Sequence, residues 1–364
     1  MARRELWSDR ARLAVGLLAI AAAVALVIVL MGLRRGMAEQ VTIYVDRQGP
    51  VFVARSGTRN FLGADSVVSA AAAARVRSTP GVARVTPVSE QYAMLGVGER
   101  RVLSVLIGYD PAGRGGPWLL SSGKEPSAAG DMVVDEVLAG EHGLSIGSRL
   151  DYRGTTFTIT GLSRGTSGWM LPLVFTTRES VNQLSGLRDS STFLIIEPLP
   201  GVSEESVSRR VARAAPDLTA LSRRQVAAND RALFSDTFNG TLLAMVAIAF
   251  VVAVIVIGLT VYGSTVERSR EHATLRALGL PARSLLRLVA VQAVVLAVAG
   301  SCAGALLGLL AARLVNVWAP KYLIVVSGRD VVLVAAAALV LALAGALAPA
   351  RHVARIAPDS ALRG

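Results

Sequence analysis

Three histidines, one cysteine and a scatter of carboxylates are what this 364-residue chain offers to catalysis. His142, His272 and His352 stand far apart, and the last two fall on the inner side of the membrane topology derived below. A zinc site or a Ser-His-Asp relay needs several such groups in one place, so neither is expected. The sequence has no G-x-S-x-G elbow and no H-E-x-x-H pair. Gly123-Lys124 is followed by Glu125, with no glycine at the spacing a phosphate-cradling loop requires. The chain is therefore not expected to hydrolyse ATP itself. Cys302 is alone, which excludes an intrachain disulfide and a cysteine metal cluster. Aspartates and glutamates between the apolar runs form no paired-carboxylate motif. The reading is of no catalytic residue and no metal site.

Chemistry being sparse, composition carries more. Hydrophobic residues make up 52% of the chain and charged ones 18%, a balance too apolar for a soluble domain. Four runs, 13–33, 241–263, 288–312 and 331–350, are each long enough for a helix across a bilayer. The first, behind Arg3, Arg4, Arg10 and Arg12, is longer than a signal-peptide core and is not followed by a small-x-small cleavage site. It reads as a retained anchor. The net charge of +12 might suggest nucleic acid, but between Gly36 and Phe238 there are 21 basic and 20 acidic residues. The excess lies in the flanks of the runs, as membrane topology demands and a phosphate-binding face does not.

By the positive-inside rule residues 1–12, 264–287 and 351–364 are cytoplasmic and 34–240 extracytoplasmic, with 313–330 an outer loop. Arg34, Arg35, Arg313, Lys321 and Arg329 fall on the wrong side, outvoted by the cytoplasmic arginines. The fold class expected is a membrane α-helical protein of four transmembrane helices, with a large α+β domain inserted between the first two.

Within that domain "VTIYVDRQGPVFVARSG" (41–57) suggests two short strands broken at Gly49-Pro50. Residues 65–81 suggest a helix capped by Asp65 or Ser66 and stopped at Pro80-Gly81. A strand over 191–199 and a helix over 203–216 repeat the scheme. The stretch 131–165, punctuated by Gly147, Gly154 and Gly161, reads as a β-meander inside a β-rich middle subdomain at about 125–185. Residues 222–240 read as a polar helical stalk.

Two features of the membrane part stand out. Gly300, Gly304 and Gly308 form G-x-x-x-G-x-x-x-G, a face that lets another helix approach closely; the sequence does not say which helix. Gln292 is the strongly polar side chain in that run and suits an interhelical hydrogen bond. The second feature is the charged stretch "ERSREHATLRALGL", Glu267 to Leu280. Its helical spacing pairs Glu267 with Arg270 and Arg268 with Glu271, and sets Leu275 and Leu278 beside them.

With the helix that follows it, this stretch resembles the FtsX-like permease domain, whose pattern is an Arg/Glu-rich turn, an L-R-A-L-G block, a basic segment and a glycine-spaced helix. "PARHVARIAPDSALRG" (349–364) is similar to that domain's ending. The resemblance implies the permease of an ABC system of the macrolide-exporter and lipoprotein-release type. Its partners would be an ABC ATPase subunit in two copies, carrying ATP and Mg, and a second permease copy, identical or not, in membrane lipid. It maps ATPase coupling onto Glu267, Arg268, Arg270, Glu271, Thr274, Leu275, Arg276, Leu278 and Gly279. His272 departs from the pattern. An export or extraction role on a peptide, lipid, lipoprotein or drug is implied; the alternative is an FtsX-like signalling subunit acting on a partner such as a cell-wall hydrolase.

Overall fold

In a computed structural model of the protein, residues 2–63, 65–168, 171–186, 189–267 and 281–355 are described. The chain divides into two compact units, one of Met1–Gly36 with Asn239–Gly364 and one of Met37–Phe238.

The first unit is helical. It contains most of α1 (Ala2–Val41), then α8 (Gly240–Glu267), α9 (Ala282–Trp318) and α10 (Gly328–Arg355). Each holds a stretch long and apolar enough to cross a membrane: Ala14–Val41, Gly240–Thr260, Ala290–Trp318 and Gly328–Gly345. Large apolar side chains such as Leu259, Val295 and Val340 face outward, while the buried seam is rich in alanine, with Ala249, Ala253, Ala293, Ala297, Ala338 and Ala342. Lipid solvates leucine as well as a protein interior does, so close backbone approach holds these helices together. At one crossing a Cβ on Gly345 would stand 3.3 Å from the Gly258 Cα.

The second unit is built on a ten-stranded sheet. Its strands are β1 (Val51–Arg55), β3 (Val82–Val97), β4 (Arg100–Tyr109), β5 (Leu120–Gly123), β6 (Asp131–Asp135), β7 (Arg149–Tyr152), β8 (Thr155–Ser163), β9 (Leu173–Thr177), β11 (Phe193–Pro198) and β12 (Leu218–Ser222). The order is β12-β1-β11-β3-β4-β9-β6-β8-β5, with β7 pairing β3 and β8. A separate pair joins β2 (Val68–Ser69) to β10 (Ser190–Ser191). Sixteen-residue β3 is the spine, its first half paired with β11 and its second with β4. Strands β5 to β9 continue the same sheet through the parallel β4–β9 pair.

Strand alternation sorts side chains into two layers. Val51, Val53, Leu194 and Ile196 pack with Val76 of α3 (Ala70–Arg77) and with Val207 and Val211 of α6 (Glu204–Ala214). Phe52, Ala54, Phe193 and Ile195 face the other way, toward Tyr44, Phe61 and Val226. That second layer is closed by α2 (Ile43–Arg47) and α7 (Arg223–Phe234).

Three local expectations fail. Residues 43–47 are helical, not a strand: the Asp46 N–H donates to the Thr42 carbonyl at 2.9 Å and Thr42 Oγ1 donates to Asp46 Oδ2 at 2.8 Å. Local hydrogen bonds and packing override the β preference of Val45 and Ile43. The helix over 65–81 begins at Ala70, capped by Ser69, because Val68 and Ser69 pair with β10 instead. The stretch 131–165 is not a meander. Asp135 caps α4 (Glu136–His142), Gly143 ends it in the left-handed conformation, and β6 and β8 lie parallel. Of residues 222–240, Ser222 ends β12 and caps α7, a π-helical turn, Ser235–Asn239, follows, and Gly240 opens α8, with Val226, Ala227 and Phe234 buried in the second unit.

Candidate functional site

The glycine row has a definite partner. A Cβ on Gly300 would come within 2.5 Å of Ile20 Cγ2, one on Gly304 within 2.7 Å of the Ala21 carbonyl oxygen and Val24 Cβ, and one on Gly308 within 3.2 Å of Ile28 Cγ2. All three face α1 of the same chain. Gln292 is half-buried in α9. Further along α1, Gly36 backs against the Leu323 carbonyl, the Val325 N–H donates to the Gly32 carbonyl at 3.0 Å, and Arg35 pairs with Asp330 at 2.9 and 3.1 Å. The arginine on the wrong side of the topology is thus neutralised by a buried carboxylate in the first turn of α10. The predicted coupling residues Arg268, Arg270, Glu271, Thr274, Leu275, Arg276, Leu278 and Gly279, and His272, lie outside the described residues, and Glu267 is the last residue of α8. Of the C-terminal block, 356–364 also lies outside them.

The second unit carries a feature the sequence reading missed. A cavity of about 490 Å³ opens in the layer closed by α2 and α7, in the size range of small-molecule sites. Its walls come from the unit's first residues (Gln40, Val41, Ile43, Tyr44), its last (Asp230, Leu233, Phe234, Thr237, Phe238), the turn at Phe61–Gly63, β3 and β4 through Tyr92 and Leu103, and Gly168, Leu171 and Leu173. Aromatic packing fixes the frame: Tyr44 stacks on Phe61 at 4.4 Å, Phe61 leans on Phe193 at 5.0 Å, and Phe234 meets Phe238 at 5.4 Å. The Tyr44 hydroxyl donates to the Gly115 carbonyl at 2.9 Å, holding α2 on the sheet.

The exception among these apolar walls is Asp230, only 1% exposed. Its Oδ1 accepts the Phe61 and Leu62 N–H groups at 3.0 and 3.3 Å, clamping that turn to α7. Its Oδ2 is buried without a hydrogen-bond partner among the described residues. The adjacent arginine does not bond to it: Arg231 Nη2 donates instead to Asp46 Oδ2 at 3.2 Å and Thr42 Oγ1 at 3.0 Å. A second buried carboxylate, Glu90, lies between Val88 and Tyr92 on the same face of β3.

Burial dominates the electrostatics of this cluster. It lifts the Asp230 carboxyl to about 7, with the Leu62 and Phe61 N–H groups, the Asn60 side chain and the Arg231 charge pulling back. Burial and then the neighbouring Asp230 raise Glu90 well above the ordinary carboxylate range. Burial, Glu90 and Asp230 push Tyr92 up to about 12. Tyr44 is raised in the same way, by burial first and then by Glu90 and Tyr109. One signal could have found Asp230. Positions 226, 227, 230 and 234 form the buried stripe of α7, so an aspartate stands where an amphipathic helix wants an apolar residue. Glu90 gave no such signal, because a strand's phase is decided by its partners. Among the described residues no group of three His, Cys, Asp or Glu could hold a metal ion.

Comparison with known proteins covers nearly the whole chain. Residues 14–214 match the MacB-like periplasmic core domain and residues 243–358 the FtsX-like permease C-terminal domain. An uncharacterized ABC transporter permease of Mycobacterium tuberculosis is 27% identical over 311 residues, 85% of this chain and 84% of that protein. A second from the same organism is 26% identical over 325 residues, 88% and 86% of the two. Among solved structures, the periplasmic region of MacB from Actinobacillus actinomycetemcomitans aligns over 50% of this chain and 92% of its own, at 11% identity and TM-score 0.38. The extracellular domain of the noncanonic ABC-type transporter YknZ from Gram-positive bacteria aligns over 48% and 100%, with the same identity and score.

Proposed function

The chain belongs to the FtsX-like permease family, with a MacB-like periplasmic core domain, and on that premise we propose that it couples ATP hydrolysis on a separate ATPase chain to movement of its outer unit, exporting or extracting an amphiphile. It is an ABC transporter permease of the MacB/FtsX type, multi-pass, with an extracytoplasmic domain between the first helix and the last three.

The observation that carries the coupling reading is the order of parts. One apolar helix, a folded outer unit and three apolar helices occur in one chain, and the arginine-rich stretch 267–280 sits between the second and third helices. With both termini inside, that stretch is cytoplasmic. Two ATPase copies, carrying ATP and Mg, would dock there beneath a pair of permeases. The spans contain no ionisable residue in mid-run that could serve an ion-coupled path, so the driving energy comes from outside the chain.

The outer unit favours transport over signalling, since it holds an apolar cavity large enough for a ligand. The test is co-purification with an ABC ATPase encoded by the same genome, followed by reconstitution in liposomes. Leu275→Asp is expected to abolish ATPase stimulation, and Glu271→Arg to weaken it, with normal membrane insertion in both. Unchanged complex formation and turnover in both variants would refute the coupling role.

A further inference from the structure

We propose that the cavity of the outer unit binds a cationic amphiphile, its apolar body against Phe61, Leu171, Leu233 and Phe234 and its ammonium group held by Asp230. This deepens the transport reading by giving the ligand's chemistry, and it concerns binding to this chain alone.

The argument begins with what Asp230 does for the fold. Clamping the turn at Phe61–Leu62 needs one oxygen acceptor, and Oδ1 supplies it. An asparagine amide oxygen would accept the same two N–H groups without burying a charge. The carboxylate instead leaves Oδ2 buried and unpartnered among the described residues, on the wall of a cavity. A desolvated acceptor of that kind is costly unless something completes it.

What can complete it is set by the neighbours. Arg231 is engaged with Asp46 and Thr42, and the Asn60 side chain, which draws the carboxyl's pKa down, makes no hydrogen bond to Oδ2. The other titratable groups about Asp230 are Glu90 and Tyr92 of β3, and Tyr44 of α2, which Glu90 in turn influences. All three are acids, which can become negative but never bring a positive charge. An anionic head group would meet the Asp230 carboxyl with a second acid, Glu90, behind it in a low-dielectric site, whereas a cation pairs with Asp230. The apolar walls require the rest of the ligand to be hydrocarbon or aromatic. A volume of about 490 Å³ suits a single-chain or drug-sized molecule.

A consequence follows for pH. Without ligand the Asp230 carboxyl holds its proton up to about 7, and a cation can pair only with the ionised form. Binding must therefore release a proton and weaken as the medium is acidified.

The test uses the full chain in phosphatidylcholine nanodiscs, with empty nanodiscs as the blank. Ethidium, a permanent cation, is titrated by fluorescence and then displaced by octylammonium or octanol, which differ in head group. Octylammonium is expected to displace the dye at concentrations about tenfold or more below octanol, as a charge-assisted contact implies. Ethidium affinity is expected to fall about tenfold from pH 8 to pH 6. Asp230→Asn should remove both the head-group preference and the pH dependence, and Leu233→Trp, which fills the cavity from an outward-facing position, should weaken ethidium and both competitors alike. Equal displacement by the two competitors in the unaltered chain, or absence of ethidium binding, overturns the proposal and makes Asp230 a turn clamp only. Should Asp230→Asn not fold, the pH series and Leu233→Trp decide, and unchanged binding in both overturns it. None of these outcomes depends on the ATPase, so a failed ligand assay beside an intact ATPase complex leaves the transport reading standing.

Discussion

The two units treat buried carboxylates in opposite ways. In the membrane unit Asp330, 5% exposed, receives two bonds from Arg35, and glycines on α9 leave no room for a Cβ against α1 at Gly300 and Gly304. In the outer unit Asp230 is buried more deeply, its neighbouring arginine is engaged elsewhere, and the wall around it stays open as a cavity. The first arrangement is what a rigid scaffold requires: close backbone contact and a buried charge that is paired. The second keeps a carboxyl with one oxygen unpartnered in an apolar place, which costs stability. Under the proposed function, the first unit would transmit motion and the second would meet the ligand.

The sharpest way to break the comparison is to deny the scaffold its closeness. Gly304→Leu would drive a side chain onto the Ala21 carbonyl oxygen and Val24. A backbone oxygen cannot rotate away, so the cost should reach or exceed the upper end of ordinary overpacking, about 3 kcal/mol. The expected result is loss of a monodisperse, protease-resistant membrane unit in detergent. Gly308→Ala, where the nearest atom is 3.2 Å away, should be far milder.

A smaller effect should come from the unpaired carboxylate. Asp230 is raised from its ordinary 3.8 to about 7 in the folded chain, so between those values the folded state holds a proton that the unfolded state has released. Stability is then greatest near pH 4 and falls as pH rises toward 7, opposite to a salt-bridged aspartate. Discounted for residual solvent access, the loss is on the order of 2 kcal/mol. Thermal melts of the ligand-free chain at pH 5 and pH 8 should show it, and Asp230→Asn should flatten the difference. Glu90, raised by burial, leaves a residual slope of the same sign.

The smallest change expected is at the paired carboxylate. Asp330→Asn leaves Arg35 with a neutral acceptor, and because that arginine is 36% exposed, water takes over part of the contact. A loss of about 1–2 kcal/mol is expected, below the full cost of breaking a wholly buried pair. A larger loss than from Gly304→Leu would show that charge, not close approach, holds α1 in the scaffold.

Much of this protein was legible one residue at a time. Apolar runs longer than a bilayer core needs admit no other reading, because no soluble fold leaves so many leucines and valines in unbroken series. The missing phosphate loop, the lone cysteine and the confinement of excess arginine to short flanks were equally direct. The family blocks at 267–280 and 349–364 were visible because they are local in sequence. Three kinds of fact needed the fold. The partner of the glycine row is α1, hundreds of residues earlier, and a small-residue face is compatible with any helix. Residues 43–47 and 131–165 departed from their apparent strand patterns because helix caps and sheet pairing outweigh propensity. The cavity required α2, α7, β3, β4 and the turn at Phe61 to meet; Asp230 and Glu90 share an environment across 140 positions only because the sheet brings β3 under α7. Periodicity along the chain determines what each element is, whereas burial, and with it the energy of a charge, is decided by what packs against it.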